Sequence, residues 1–381
     1  MHFAFTPDQE TFRTELRAFL EDHQTDGNHD EDHPNSALER ALAENGWLTM
    51  AWPKEYGGGG ATHMEQLIFK EELARVGGTA DVLGTNLVGP TIMVHGTDEQ
   101  KREHLPYIAG ATRRWCQGFS EPGAGSDLAS LQTRAVRDGD DFVVNGQKIW
   151  TSSAHLADWI LLLTRTDPDA PKHRGITMFL VDMKTPGVTV RPLTQITGHR
   201  GFNEVFFDDV RVPARNMVSE LNRGWYAATT TLDFERSGIE RNLTARKDWE
   251  RIYDRVRTPG GRAEVVDRSG AWRHNLAELY IEIEAGQWIA RRIAFMQSQG
   301  IIPNYEAAMS KAFNSEIGQR VAQFGINLFG LAGQVGEGRY AALQGNTVFR
   351  YLDSRRLTVG QGTSEINRNV IATRGLGLPR G

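Results

Sequence analysis

Cysteine is nearly absent: Cys116 is the only one in 381 residues. No intrachain disulfide is possible, and a thiolate zinc site falls with it. A basic excess is also missing. Lys and Arg total 43 against 48 Asp and Glu, a net charge of −5, which argues against binding nucleic acid through its phosphates. Long apolar runs are absent as well. Trp159-Ile160-Leu161-Leu162-Leu163 is far too short to cross a bilayer. No P-loop and no His-Glu-x-x-His pattern occurs, and no metal site is expected. Gly123-Ala124-Gly125-Ser126-Asp127-Leu128 begins like a dinucleotide fingerprint but ends in Leu and precedes strand patterns rather than a helix. The opening residues show no basic region followed by an apolar stretch. With the lone cysteine, this makes a reducing, cytoplasmic location the expectation.

What is present is globular composition, 39% hydrophobic and 24% charged, with a length that suggests two or three domains. Residues 1–115 read as helical. Thr6-Pro7-Asp8-Gln9 is a capping box with Pro at the first helical position, and Phe12, Leu16, Phe19 and Leu20 share one face. A second helix is expected from Met64 to Val76, stopping at Gly77-Gly78, and a short third one between Thr97 and Pro106. Pro53 and Gly57 to Gly60 read as a loop.

Residues 116–222 read as strands in a compact barrel or sandwich. Asp138-Gly139-Asp140-Asp141 and Asn145-Gly146 are turn signals around Phe142-Val143-Val144. Short apolar runs follow at 159–163, 176–181, 188–190 and 205–207. Residues 223–381 are helical again. Leu276, Tyr280 and Ile283 form one stripe, and Phe313, Ile317, Val321, Phe324 and Leu328 another, as in a bundle. Gly300 and Pro303 separate the two.

Two acidic features need a reading. His29-Asp30-Glu31-Asp32-His33 gathers imidazoles and carboxylates, but before Pro34 it reads as a hydrated loop. Glu235 lies three residues after Leu232 and four before Ile239, on an apolar stripe. Desolvation there raises a carboxyl toward the range useful for a base, whereas pairing with the adjacent Arg236 would make it structural.

Four motifs now carry a resemblance. Gln117-Gly118-Phe119-Ser120-Glu121-Pro122-Gly123-Ala124-Gly125-Ser126-Asp127 resembles the signature of acyl-CoA dehydrogenases. Asn145-Gly146-Gln147-Lys148-Ile149-Trp150-Thr151-Ser152 is similar to its companion strand. Glu204 to Pro213 resembles the end-of-barrel motif, and Gly362-Thr363-Ser364-Glu365-Ile366 the C-terminal one. They occur in the family's order across most of the chain.

The resemblance implies an α+β architecture: an N-terminal helical domain over 1–115, a middle β-barrel over 116–222 and a C-terminal four-helix bundle over 223–381. It implies FAD-dependent α,β-dehydrogenation of an acyl-CoA thioester, with the β-hydrogen leaving as hydride to flavin N5. Phe119, Ser120, Gly125, Ser126, Trp150 and Ser152 become cofactor-binding candidates. Ser120 and Ser152 are expected at the flavin ring, Trp150 beside it, and Ser126 at the pyrophosphate and near the substrate. Electron-transfer flavoprotein is the implied redox partner.

The departures from the family pattern are specific. Many members carry a catalytic Glu immediately before the Gly-Thr of the C-terminal motif, where this chain has Gln361. An amide is no base, although its backbone N–H still serves an oxyanion hole. A minority of members place the base on a bundle helix as Glu followed by Arg, which Glu235-Arg236 matches. Glu235 is therefore the expected base, with Arg236 and Gln361 at the CoA substrate. The cross-subunit FAD half-site keeps Arg257, Thr363 and Glu365, with Gly330 and Gln361 as further cofactor-binding candidates. It lacks the family's Phe after Arg257 and has Asn327 in place of a Gln. This fits either a drifted homotetramer or an α2β2 heterotetramer in which a homologous chain supplies the half-site. Trp52-Pro53-Lys54-Glu55-Tyr56-Gly57-Gly58 resembles members acting on bulky, steroid-side-chain or branched acyl groups. Glu121, the loop at Gly84–Pro90 and the bundle's early helix are candidates to line that pocket. The alternatives are altered flavin chemistry, as an oxidase or desulfinase, and a non-catalytic partner subunit.

Overall fold

The computed structural model describes residues 5–23, 36–76, 83–233 and 239–379. In chain order the elements are α1 (Pro7–Asp22), α2 (Ser36–Glu44), α3 (His63–Arg75), α4 (Gly89–His95), α5 (Asp98–Ala109), β1 (Trp115–Gly118), β2 (Arg134–Asp138), β3 (Asp141–Ser152), β4 (Trp159–Arg165), β5 (Ile176–Asp182), β6 (Val188–Leu193), β7 (Phe202–Pro213), β8 (Met217–Val218), α6 (Gly224–Asp233), α7 (Ile239–Arg257), α8 (Pro259–Glu264), α9 (Trp272–Ser298), α10 (Tyr305–Phe329), α11 (Asn346–Asp353) and α12 (Ser364–Val370). Helices, then a sheet, then helices follow one another along the chain, as expected. By internal contacts the chain forms two units: residues 25–61 with 78–235, and residues 1–24, 62–77 and 236–381.

The first unit is built on one eight-stranded sheet, in the order β6-β7-β3-β2-β4-β5-β8, with β1 parallel to β4. The run 159–163 is apolar throughout because both faces of β4 are buried. Ile160 and Leu162 face a core with Phe142, Val144, Phe179, Val205 and Val210. Leu161 and Leu163 face a second core with Met178 and Leu180, closed by Ile92, Ile108 and Ala227 from α4, α5 and α6 and by Trp52 from the segment after α2. Trp52 is fixed there by an indole N–H bond of 2.8 Å to the Thr85 carbonyl.

One turn expectation holds here and two expectations are corrected. Asp138 to Asp141 does make the two-residue hairpin turn, with Asp138 opposite Asp141. Asn145-Gly146 does not turn: it lies inside β3, where the register against β7 slips between Val144 and Gly146. Glycine there absorbs a bulge, not a reversal. Pro106 does not end its helix either. It lies inside α5, which runs on to Ala109 because Leu105 and Ile108 are buried on the same face. Helices α2 and α4, and strands β1 and β2, have too little periodic signal in the sequence to be read from it.

His104 on α5 is 2% exposed, its ring edge-on to Trp115 and Trp159. Its Nδ1 accepts from the Arg113 guanidinium at 2.9 Å. Burial first, and Arg113 second, push its pKa down to about 4. The unfolded chain therefore takes up this proton below pH 6.5 while the folded protein does not. Stability conferred by His104 is complete above pH 6.5 and is lost as pH falls toward 4, on the order of 3 kcal/mol in all. Denaturant titrations from pH 7 to 4.5 are expected to show a shallower acid loss in His104→Gln than in the unsubstituted protein. Parallel slopes would refute the linkage.

In the second unit α1 and α3 each open with a capping box, from Thr6 and Thr62. Phe12 and Phe19 of α1 are half-buried and Leu16 and Leu20 fully buried. Two adjacent carboxylates of α3 bind these helices to α9. Glu72 accepts from Arg13, Arg17 and Arg75, and Glu71 from Arg13, Gln287 and Arg291. Burial opposes ionisation of Glu72, but the three arginines outweigh it and hold the carboxyl below its usual range. The bundle core gathers Trp249, Ile252, Leu276, Leu279, Ile283, Ile317, Val321 and Leu328 from α7, α9 and α10. Both predicted stripes lie in it, although Tyr280 and Phe313 face outward, 40% and 36% exposed. The break at Gly300 and Pro303 separates α9 from α10 as expected.

Candidate active site

The loop leaving β1 is shaped by a buried ion pair. Lys148, on β3, is fully buried. Its ammonium donates to the Glu121 carboxylate at 2.7 Å and to the Phe119 carbonyl at 3.1 Å. The same carboxylate accepts the backbone N–H groups of Gln132 at 2.6 Å and Thr133 at 2.8 Å. Burial raises the Glu121 pKa, yet Lys148 and these hydrogen bonds prevail and hold it below the usual range. Burial pushes Lys148 down to about 8, with Glu121 opposing. Glu121 is thus spent within the protein and does not line an open pocket, which corrects that expectation. Reciprocal bonds of 3.0 Å between Glu121 and Ala124 close the turn around Pro122-Gly123.

Ser120 is half-buried between Phe119 and Glu121, and its carbonyl accepts the Ile149 N–H at 3.0 Å. The next residue is Trp150. The β3–β7 register slips again between Lys148 and Thr151, and Trp150 takes φ +61° at that bulge. A bulky residue in the left-handed region is strained, and such strain concentrates at functional sites. Its indole is 59% exposed and meets Phe202 edge-on, with ring centroids 6.1 Å apart. Thr151 is buried, and its hydroxyl has no partner among the described residues. Ser152 is half-buried at the end of β3. Asn203 fixes this end by donating to the Thr151 carbonyl at 3.0 Å and meeting His155 at 3.1 Å. Gly125 and Ser126 are exposed on the far side of the loop, beside the Lys172–Asp127 pair.

Phe119, Ser120, Trp150 and Ser152 therefore belong to one corner of the sheet, with Gly125 and Ser126 on the same loop. An exposed aromatic on strained backbone, a buried hydroxyl without a partner and an exposed Gly-Ser turn fit a planar, phosphate-bearing cofactor. The Lys148–Glu121 pair escaped the sequence reading because its members are 27 residues apart. A signal existed: Lys148 stands on the inward parity of Phe142 and Val144.

In the other unit the remaining candidates fall into two groups. Arg257 ends α7 with its guanidinium over Tyr253. Asn327 is exposed on the last turn of α10 and accepts from Gln323 at 3.1 Å. Gly330 follows with φ +56° and ψ −126°, a conformation open only to glycine, and a side chain there would meet Val266. The second group is Gln361 and Gly362, both in the left-handed region, then Thr363, which caps α12, and exposed Glu365. Arg368 pairs with Glu316 at 2.7 Å, so α12 lies against the middle of α10. Asn327 is eleven residues further on, roughly 16 Å along the helix. One chain does not bring the two groups together. Glu235 and Arg236 lie outside the described residues, as does the His29–His33 segment. Among the described residues no His, Cys, Asp and Glu cluster suits a metal, and no helix is long and apolar enough to cross a membrane.

Family models match in chain order. The acyl-CoA dehydrogenase N-terminal domain matches residues 6–112, the middle domain 116–210 and the C-terminal domain 222–376. Acyl-CoA dehydrogenase FadE34 of Mycobacterium tuberculosis is 40% identical over 91% of the chain, which spans about half (47%) of that relative's length. Acyl-CoA dehydrogenase FadE26 of the same organism is 36% identical over 100% of the chain and 99% of its own. Among solved structures, the Tcur3481-Tcur3483 steroid ACAD aligns with a TM-score of 0.90 at 34% identity, covering 100% of both chains.

Proposed function

The chain belongs to the acyl-CoA dehydrogenase family, and from that premise we propose that it dehydrogenates a bulky or branched acyl-CoA thioester with FAD as cofactor. The observation that carries this reading is the corner at Ser120 and Trp150, where strained backbone holds an indole exposed beside a clamped loop. FAD, when bound, supplies the two-electron acceptor for the β-hydrogen. The chain's own groups do the rest. The Glu235 carboxylate takes the α-proton, and the Gln361 backbone N–H donates to the thioester oxygen, where charge develops. Arg236 and Ser126 hold the CoA portion. We read the domain boundaries near residues 115 and 222. Steroid-type acyl groups rank first because the Trp52–Gly58 motif and the steroid-type structural neighbour point the same way. Electron-transfer flavoprotein is the proposed reoxidant.

The test is an anaerobic titration of the purified protein with acyl-CoA esters, from short straight chains to branched and steroid-type ones. Bleaching of the flavin band by the bulky class, with little by the short class, is expected. Equal bleaching by all would remove the substrate preference, and no bleaching with flavin bound would favour altered chemistry. Rapid reoxidation by O₂ after substrate reduction would favour an oxidase.

A second reading concerns assembly. After Arg257, Thr258 caps a short helix that starts at Pro259, where the family pattern has its Phe-Gly segment. Asn327 replaces a Gln. With a structural neighbour that is itself a two-chain assembly, these changes favour an α2β2 partnership with a homologous chain over a homotetramer. The protein then purifies yellow only when co-expressed with that chain. Full FAD content in the chain alone would overturn this.

A further inference from the structure

The Lys148–Glu121 pair is a buried charge arrangement that the proposed reaction leaves unused. Lys148 is 0% exposed and Glu121 8%. Taking two ions out of water is costly, and an apolar pair of similar size is often as stabilising or more so. Stability alone is a weak reason for the pair. Its hydrogen bonds suggest another. Lys148 holds the Phe119 carbonyl, and Glu121 is its ion partner, so both neighbours of Ser120 are gripped. Ile149, next to Lys148, holds the Ser120 carbonyl, and Trp150 follows at once. The carboxylate also fastens Gln132 and Thr133, where the chain returns to the sheet. One ion pair thus ties the entry of the loop, its exit and the Trp150 bulge to a common point.

We propose that Lys148 and Glu121 are positioning residues that set the Ser120 loop and the Trp150 indole in their flavin-binding arrangement before FAD arrives. This rests on the FAD reading above. Pre-organisation lowers the cost of ordering on binding. Removing the pair therefore weakens FAD affinity even where the fold is intact.

The experiment compares Lys148→Met, Glu121→Gln and the double variant with the unsubstituted protein, in whichever assembly binds FAD. Each single change leaves a buried charge without its counter-ion and lowers the melting temperature. The double variant removes both charges and recovers most of it. FAD affinity, followed by quenching of flavin fluorescence on reconstitution, is expected to stay weaker by about tenfold or more in the double variant, the loss typical of removing a hydrogen-bonded support behind a binding group. Affinity within about twofold of the unsubstituted protein, in a double variant of normal melting temperature, would overturn the proposal. Should these variants fail to fold, hydrogen exchange on the unsubstituted apoprotein decides. The amides of Gln132, Thr133 and Ile149 are expected to be as protected without FAD as with it. Protection appearing only with FAD would mean that the cofactor, not the ion pair, orders the loop. An unsubstituted protein that binds no FAD in any assembly would remove the FAD reading itself, and this proposal with it.

Discussion

Glu235→Gln is expected to keep FAD and lose the reductive half-reaction. The substitution changes neither the size of the side chain nor its reach, only its basicity. Positioned general bases contribute about 10²–10⁴-fold, so flavin bleaching by the best acyl-CoA ester falls by that factor while the oxidised flavin spectrum is unchanged. The C-terminal motif puts no carboxylate at the position where many family members carry the base. The residue before Gly362 is Gln361, held at φ +56°, and an amide accepts no proton at neutral pH. Its contribution is the backbone N–H, which the Glu235 change does not touch. Glu235→Asp shortens the arm by one methylene and is expected to fall between the two. If Glu235→Gln bleaches at nearly the original rate, the base lies elsewhere. If it loses FAD, the residue acts in the fold and not in the chemistry.

Much of this was legible in the residues, for identifiable reasons. The capping box at Thr6 and the cap at Thr97 are local, so a few residues suffice to read them. The apolar run in β4 was legible as a strand, but its two buried faces depend on residues far away in sequence, other strands on one side and helices on the other. Asn145-Gly146 misled because the same dipeptide serves a turn or a bulge, and pairing with β7 decides between them. Pro106 misled because a proline in the last turn of a helix costs one hydrogen bond, which burial of Leu105 and Ile108 outweighs. Of the candidate site, motif order supplied Ser120, Trp150 and Ser152. The strain at Trp150 and the Lys148–Glu121 clamp belong to tertiary structure and leave only a faint mark, one lysine on an inward parity. The affiliation of α1 and α3 was not legible at all: it rests on Glu71 and Glu72 meeting arginines more than fifty positions away.

Gly286→Ala is expected to destabilise the bundle strongly, although alanine is the better helix former. Gly286 lies in the middle of α9, facing a polar layer in an otherwise apolar core. Asn242 of α7 donates to the Ile283 carbonyl at 2.8 Å and to Asn314 Oδ1 at 3.0 Å, and Asn314 of α10 donates to Ser310 at 3.2 Å. All three polar side chains are fully buried. A methyl at 286 would stand 2.1 Å from Asn314 Oδ1 and 2.7 Å from Asn242 Nδ2, so at least one amide must move. Overpacking costs about 1–3 kcal/mol and a buried amide left unpaired about 1–3 more. The helix propensity of alanine returns only about 1 kcal/mol. The net loss of roughly 1–5 kcal/mol lowers the melting temperature by several degrees, at roughly 2–4 °C per kcal/mol for a domain of this size. Asn314→Ser in the same chain opens the space and is expected to recover part of the loss. The layer stabilises poorly, since Asn242 Oδ1 already lacks a partner among the described residues. Its stronger effect is on register, because only one alignment of α7, α9 and α10 places two asparagines opposite a glycine. A Gly286→Ala protein melting at or above the original temperature would show that the amides have slack, and that the register is set by the apolar stripes alone.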